Sequence, residues 1–441
     1  MAPELIASVG GELYALGAIA LINGIRSGAF SAEAVVRSCL SRIAQVEDKV
    51  LAWTFLDPEL VLQQALAADR RQASGAPLGP LHGVPVGIKD IIDTADMPTE
   101  NGTALHAGRR PARDAAVVAR LRAAGAIIMG KTVTTELATY FPGKTRNPHD
   151  PEHTPGGSSS GSAAAVAAGM VPLAVGTQTN GSVIRPAAFC GVVGFKPSYG
   201  LIDRAGVLRQ SPALDQIGVF ARAPEDAALL AEKLCDAAAL PCWFESAGAA
   251  LPRLPRIAFV KTSIWNRTAF DAREALAGLT SRLGGTVIDV EMPEIAANVW
   301  EWQRTVMEAE IAANYDAEWK LGSDRLSESL RSQIERGRAI SAIDYQHALE
   351  RIATVNKAFE SLYENCDVIM TPAVPGTAPR GLDSTGDPAF CTLWTFCGMP
   401  SITLPLLRGT NGLPLGVQLV APRFCDAQLL RAARWLCDAV R

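Results

Sequence analysis

The sequence predicts an α/β fold, and three observations carry that expectation. Short apolar runs suited to buried strands, AIIMG at 126–130, VPLAVG at 171–176 and DVIMTPA at 367–373, alternate along the chain with segments of helical periodicity. One stretch holds a strand, a helix and a strand in order: PRIAFVKT at 255–262, FDAREALAGLTSRLGG at 270–285 and TVIDVEMP at 286–293. That order suits a crossover connection on a sheet. At 441 residues and 48% hydrophobic content the chain can bury a large core, and length alone allows two or three domains.

Taken in order, VGIKDIID at 86–93 is strand-like and contains a lone lysine, Lys89, flanked by Val84, Val86, Ile88, Ile91 and Ile92. DAAVVARLRAAG at 114–125 has apolar residues at helical spacing and ends in glycine, a common stop signal. Residues 156–182, GGSSSGSAAAVAAGMVPLAVGTQTNGS, hold two serine-bearing glycine turns separated by a small-residue run. Gly156, Gly157 and Gly161 permit backbone conformations that a Cβ forbids. Ala163–Gly169 is expected to pack as a helix, since alanine is the best helix former. Leu234 to Leu254 is rich in alanine, proline and glycine and reads as a surface connection. From about Ala296 to Ala353 the chain becomes charged and helical. There Trp300, Trp302, Met307 and Tyr315 fit either a hydrophobic acyl or leaving-group pocket or a core-facing stripe. Trp394 and Phe396 are further pocket candidates.

Composition excludes several classes. A formal net charge of −4 and a pI near 5.9 give no basic footprint for nucleic acid. No run approaches the 18 or so apolar residues of a membrane helix. YALGAIALI at 14–22 is short and follows Glu4 and Glu12 rather than a basic flank, so a signal peptide is not expected. The nine cysteines lack CxxC and regular spacing, as expected of reduced, buried thiols in a cytoplasmic protein. Cys190 reads as core. His82, His106, His149 and His153 show no ligand spacing, so neither a metal nor a cofactor is expected. Nothing in the sequence specifies an oligomeric state.

Two serines on tight turns and one lysine in an apolar setting are the parts of a lysine-driven serine hydrolase. A serine hydroxyl is a poor nucleophile until a base takes its proton. A lysine becomes such a base when burial disfavours its charged form; Asp90 and Asp93, if in contact, would oppose that. Other readings of the block fit less well. A nucleophile elbow at Gly157–Gly161, with Ser159 attacking, needs an acid and then a histidine downstream, and only His347 follows. A phosphate loop needs GK[ST], whereas Ser162 and Ala163 follow Gly161. A flexible linker is at odds with the apolar flanks FPGKT and VPLAV.

These residues carry a resemblance that covers nearly the whole chain. LINGIRSGAFSAEAVV at 21–36, GVPVGIKDIIDTADMPT at 83–99, GGSSSGSAAAVAAG at 156–169, NGSVIRPAAFCGVVGFKPSYG at 180–200, DQIGVFARAPEDAALL at 215–230, CGMPSITLPL at 397–406 and GLPLGVQLVAPRFCDAQLLRAA at 412–433 occur in order. The sequence resembles the amidase signature family, whose machinery is a Ser–cis-Ser–Lys triad. The resemblance implies one amidase domain over 1–441, with a mixed, mostly parallel central sheet sandwiched by helices. It implies a signature core over about 83–235 and a C-terminal part over about 255–441, with a variable helical region at about 296–353. It carries the lysine onto Lys89, the cis-serine onto Ser158, with the Gly157–Ser158 peptide cis, and the nucleophile onto Ser182. Backbone N–H groups of Thr179, Asn180, Gly181 and Ser182 would form the oxyanion hole, and Gly157 and Gln178 complete the expected substrate and oxyanion set. Gln178 stands where many members have aspartate, and Asn180 where many have a second glycine; asparagine tolerates left-handed backbone better than most residues.

The expected activity is hydrolysis of C–N bonds in small aryl or acyl amides, with carbamates (urethanes) and esters close behind, through a Ser182 acyl-enzyme. The expected partner is a small amide or carbamate, with no nucleic acid and no membrane. The alternative is the amidase, or glutaminase, subunit of a tRNA-dependent amidotransferase, which AAFCGVVGFKPSYGLI and LDQIG also resemble. Against it, DPAFCTLWTFCGMP replaces that subunit's extended segment and no basic surface is evident. A catalytically dead binding protein is disfavoured by the presence of both serines and the lysine.

Overall fold

The computed structural model describes residues 12–235, 243–248 and 253–440. Their strands are Trp53–Phe55 (β1), Pro85–Lys89 (β2), Ile127–Thr132 (β3), Leu173–Gln178 (β4), Val193–Lys196 (β5), Gln216–Ala221 (β6), Ile257–Val260 (β7), Val287–Val290 (β8), Val368–Pro372 (β9), Ser401–Arg408 (β10) and Pro414–Val420 (β11). They form one 11-stranded sheet in the order β1-β3-β2-β4-β6-β5-β10-β11-β9-β7-β8. The α/β class holds, and the domain is single. The alternating elements read from the sequence are all present: the helix Ala116–Ala123 precedes β3, Ser160–Ala167 precedes β4, and Phe270–Leu283 joins β7 to β8, which pair in parallel.

Strand direction departs from expectation. Only β2–β3, β2–β4, β7–β8 and β7–β9 are parallel, and the remaining described pairings are antiparallel. The sheet is therefore mixed, but not mostly parallel. The reason is local. β6 inserts between β4 and β5 and runs against both, and β10 and β11 are joined by a short hairpin, which imposes opposite directions. Apolar runs do not report this, because a strand covered on both faces reads the same in either direction.

Helices cover both faces. Along β3, Ile127 and Met129 enter one hydrophobic cluster with Val35, Val36 and the Ala163–Val166 run, while Ile128 enters another with Val117, Val118 and Leu230. The period of two is that of pleated strands. Residues 236–242 and 249–252 of the expected surface connection lie outside the described residues. Trp243–Gly248 between them is helical, and Trp243 is buried edge-on against Phe195 at 5.8 Å. The charged 296–353 stretch forms the helices Val299–Asn314, Asp316–Gly322, Glu328–Ala339 and most of Ala342–Tyr363, as expected.

The serine turn is pressed into this frame. Gly156 has φ +80°, the left-handed region, and a Cβ on Gly161 would lie 2.3 Å from the Ala52 carbonyl oxygen and 2.4 Å from the Val133 nitrogen. Both obstacles are backbone, so neither can swing aside. Gly161→Ala should cost about 1–3 kcal/mol or more, read as a lowered denaturation midpoint, and should slow catalysis by displacing Ser158. A midpoint unchanged from wild type would contradict this packing.

Candidate active site

Lys89 ends β2 with no exposed surface, its Nζ donating to Ser158 Oγ at 2.7 Å and to Thr177 Oγ1 at 2.8 Å. Burial pulls its proton affinity well below the ordinary lysine range; Asp215 opposes the effect and Arg185 reinforces it. The two carboxylates near Lys89 in sequence turn elsewhere. Asp93 pairs with Arg109 at 2.7 Å, and Asp90 lies 3.7 Å from Lys131, a second buried lysine. Burial raises the Asp90 carboxyl and lowers the Lys131 ammonium, and the attraction between the two works against both shifts. Register separates the two lysines: Ile88 faces Lys131 and Lys89 faces Thr132, so they project to opposite faces of the sheet.

Ser158 is buried and follows a cis Gly157–Ser158 peptide, as the resemblance implied. The Gly157 carbonyl accepts from Arg185 Nη2 at 2.7 Å and Nε at 3.2 Å, while Arg185 Nη1 reaches the Gly386 carbonyl at 2.6 Å. Ser159 is spent on structure, its hydroxyl donating to the Thr177 carbonyl at 3.1 Å. His347 is exposed. A nucleophile elbow therefore has no support.

Ser182 lies two residues before the helix Ile184–Cys190 and is 8% exposed. Its hydroxyl has no hydrogen-bond partner among the described residues, and the N–H groups of Asn180, Gly181 and Ser182 likewise have no acceptor there. Free donors at a buried turn form a ready site for a developing oxyanion. Gln178 points away from this face. Its Oε1 accepts from Val183 N at 2.8 Å and Ile184 N at 3.0 Å, and its Nε2 donates to Thr395 Oγ1 at 2.9 Å. The side chain thus caps the helix that follows Ser182, and its expected place at the substrate is not seen. Asn180 is tied on both sides: Nδ2 donates to Tyr140 Oη at 3.1 Å, and Oδ1 accepts from Thr392 at 2.7 Å. Thr179 donates to Asp215 at 2.6 Å. Gly181 sits against the helix Ala389–Phe396, where a Cβ would meet Pro388 Cβ at 3.0 Å.

Next to Asn180 opens a cavity of about 220 Å³, walled by Tyr140, Trp300, Met307 and Pro388 and by the charged side chains of Arg267, Arg304, Glu308 and Asp387. This divides the aromatic candidates. Trp300 and Met307 face the cavity. Tyr315 is buried with its hydroxyl on the Leu137 carbonyl at 2.7 Å, and Trp302 packs on Phe396 at 6.5 Å. Trp394 and Phe396 are core as well. No group of His, Cys, Asp and Glu among the described residues could hold a metal ion. Burial pushes the thiols of Cys39, Cys391 and Cys397 up to about 12, and that of Cys190 higher still. Sequence reasoning missed Arg185, Thr177, Tyr140 and Asp215. Arg185, Thr177 and Asp215 all lie inside quoted motifs, Asp215 as the lone carboxylate of an apolar stretch, PALDQIGVF.

The family model described as Amidase matches residues 34–430. The chain belongs to the amidase family. Among curated amidase-family relatives, a glutamyl-tRNA(Gln) amidotransferase subunit of Symbiobacterium thermophilum is 34% identical over 458 residues, covering 92% of this chain and 93% of that one. Among solved structures, the peptide amidase from Stenotrophomonas maltophilia aligns with a TM-score of 0.84 and 26% identity over 96% of both chains. A 6-aminohexanoate cyclic dimer hydrolase aligns at 0.83 and 26% over 97% of both. Amidase-family enzymes act on the C–N bonds of amides, and the same signature fold is present here. No helix among the described residues is long and apolar enough to cross a membrane.

Proposed function

We propose that this amidase is a free-standing, cytoplasmic hydrolase of small amides, with aryl or acyl amides preferred and carbamates and esters also within reach. The observation that carries the reading is the fully buried Lys89 hydrogen-bonded to Ser158. In the reaction, neutral Lys89 takes the Ser158 proton as Ser158 takes that of Ser182. The Ser182 oxygen then adds to the substrate carbonyl carbon. The resulting oxyanion is received by the N–H groups of the Thr179–Ser182 turn. Ser158 passes its proton to the leaving nitrogen, the C–N bond breaks, and a water molecule releases the acid from Ser182 by the reverse relay. Arg185, by gripping the Gly157 carbonyl, keeps Ser158 aimed at Lys89. Tyr140, Trp300 and Met307 would receive an aryl group, and together with Asn180 and the charged Arg267, Arg304, Glu308 and Asp387 of the same cavity they would set substrate preference. In this reading the chain is one amidase domain over 1–441, its core at about 83–235, and the 296–353 region of the 255–441 part supplies a pocket wall.

The second reading, a glutaminase subunit of a tRNA-dependent amidotransferase, draws support from the 34% identity to the glutamyl-tRNA(Gln) amidotransferase chain. One panel separates the two: glutamine, a small aliphatic amide, an acetanilide, an aryl carbamate and an aryl ester, each given to the purified protein. Turnover of the anilide or carbamate is the expected result. Turnover of glutamine alone, rising when partner subunits are added, would replace the first reading with the second.

A further inference from the structure

Beyond the three side chains of the proposed relay, one buried carboxylate touches the nucleophile turn. Asp215 precedes β6, and the pairing of Gln178 with Gln216 carries Asp215 to the place opposite Thr179. Its Oδ1 accepts from Thr179 Oγ1 at 2.6 Å and its Oδ2 from Gln210 N at 3.0 Å; Arg204 pairs with it, and its own N–H donates to the Ser211 carbonyl at 2.7 Å. Gln178 is neutral, so among the described residues no other carboxylate is hydrogen-bonded to the 178–184 turn. We propose that Asp215 is a positioning residue for the hydrolysis: it anchors the nucleophile turn through Thr179, two positions along the chain from the Thr177 that Lys89 bonds.

The charges around the two groups come from separate elements. Lys89 is acted on by Asp215 from the approach to β6 and by Arg185 from the helix after Ser182, the second spent on backbone carbonyls. Burial raises the Asp215 carboxyl above the usual carboxylate range, while its Arg204 partner and the hydrogen bond from Thr179 hold it toward the charged form; the Tyr315 hydroxyl lies near. Burial pulls Lys89 toward its neutral form and Asp215 pulls it back. Removing the carboxylate charge should therefore leave Lys89 deprotonated down to a lower pH.

This inference rests on Ser182 being the nucleophile, and the test keeps the two apart. The full chain is treated with an alkyl fluorophosphonate, and the labelling rate is followed against pH. The Ser182 oxygen forms a bond to phosphorus, fluoride leaves, and the serine proton passes through Ser158 to Lys89. Wild type should label at Ser182 with a rate that rises with pH to a plateau. Asp215→Asn, which still offers Thr179 an acceptor, should move the midpoint to lower pH. Thr179→Val keeps the charge; its plateau should fall roughly 10-fold or more at an unmoved midpoint, and Thr179→Ser should restore it. If Asp215→Asn fails to fold, the Thr179→Val and Thr179→Ser pair carries the test by itself. An unmoved midpoint in Asp215→Asn, or a full plateau in Thr179→Val, overturns the inference. An adduct that peptide mapping finds elsewhere than Ser182 overturns the nucleophile assignment and this inference with it.

Discussion

Ser182→Ala should lower amide turnover by on the order of 10⁴-fold or more, because the acyl-enzyme needs an oxygen at that position and nothing nearby replaces it. Ser159 is held by the Thr177 carbonyl. The hydroxyl of Ser182 is unengaged, so the alanine variant loses no internal hydrogen bond and should denature at the wild-type midpoint. Ser158→Ala is a different lesion: it breaks the proton path but leaves the nucleophile and the free N–H groups, and a small remnant of activity is expected. Rates measured under saturating substrate decide the matter. Near-normal and equal turnover in both variants would sink the assignment.

Lys89→Met should reduce turnover roughly 10²- to 10⁴-fold, the usual contribution of a general base. Lys89→Arg should be as poor, since a guanidinium does not give up its proton in a protein. The pH dependence has a definite sign. The base is useful only when neutral, so the wild-type rate should rise as pH rises through the folded value of Lys89, which burial places well below that of a free lysine. Stability follows the same group. Its folded value is depressed, so between that value and the ordinary lysine range the unfolded chain binds more protons than the folded one. Folding stability then rises with pH across that window. Methionine fits the buried site without charge and should flatten that slope. A Lys89→Met variant with wild-type turnover would remove the base from the mechanism.

Much of the site is legible in linear order because its chemistry is concentrated in short motifs. The two glycine-serine turns and the lysine in an apolar run single out Lys89, Ser158 and Ser182 as the proposed relay, and the structure brings Lys89 and Ser158 into contact. Gln178 departs from its expected place because sequence distance to the nucleophile is a poor guide to direction: the residue ends a strand, and its side chain bonds the N–H groups of Val183 and Ile184. Asp90 and Asp93 lie beside Lys89 in the chain for the same uninformative reason, and they serve Lys131 and Arg109 instead. The carboxylate proposed to act on Lys89 is Asp215, 126 positions away along the chain.

By itself, the sequence determined the α/β class, the order of elements, the family resemblance and the identity of the residues in the proposed relay. Each of these is written in local patterns: period of hydrophobicity, glycine placement, motif spacing. Only the tertiary structure decided strand direction, the split of the aromatic residues between pocket and core, and the charges that act on Lys89. Those depend on which distant segments meet across the sheet. In a buried site the nearest charge in space dominates, because little water lies between to screen it.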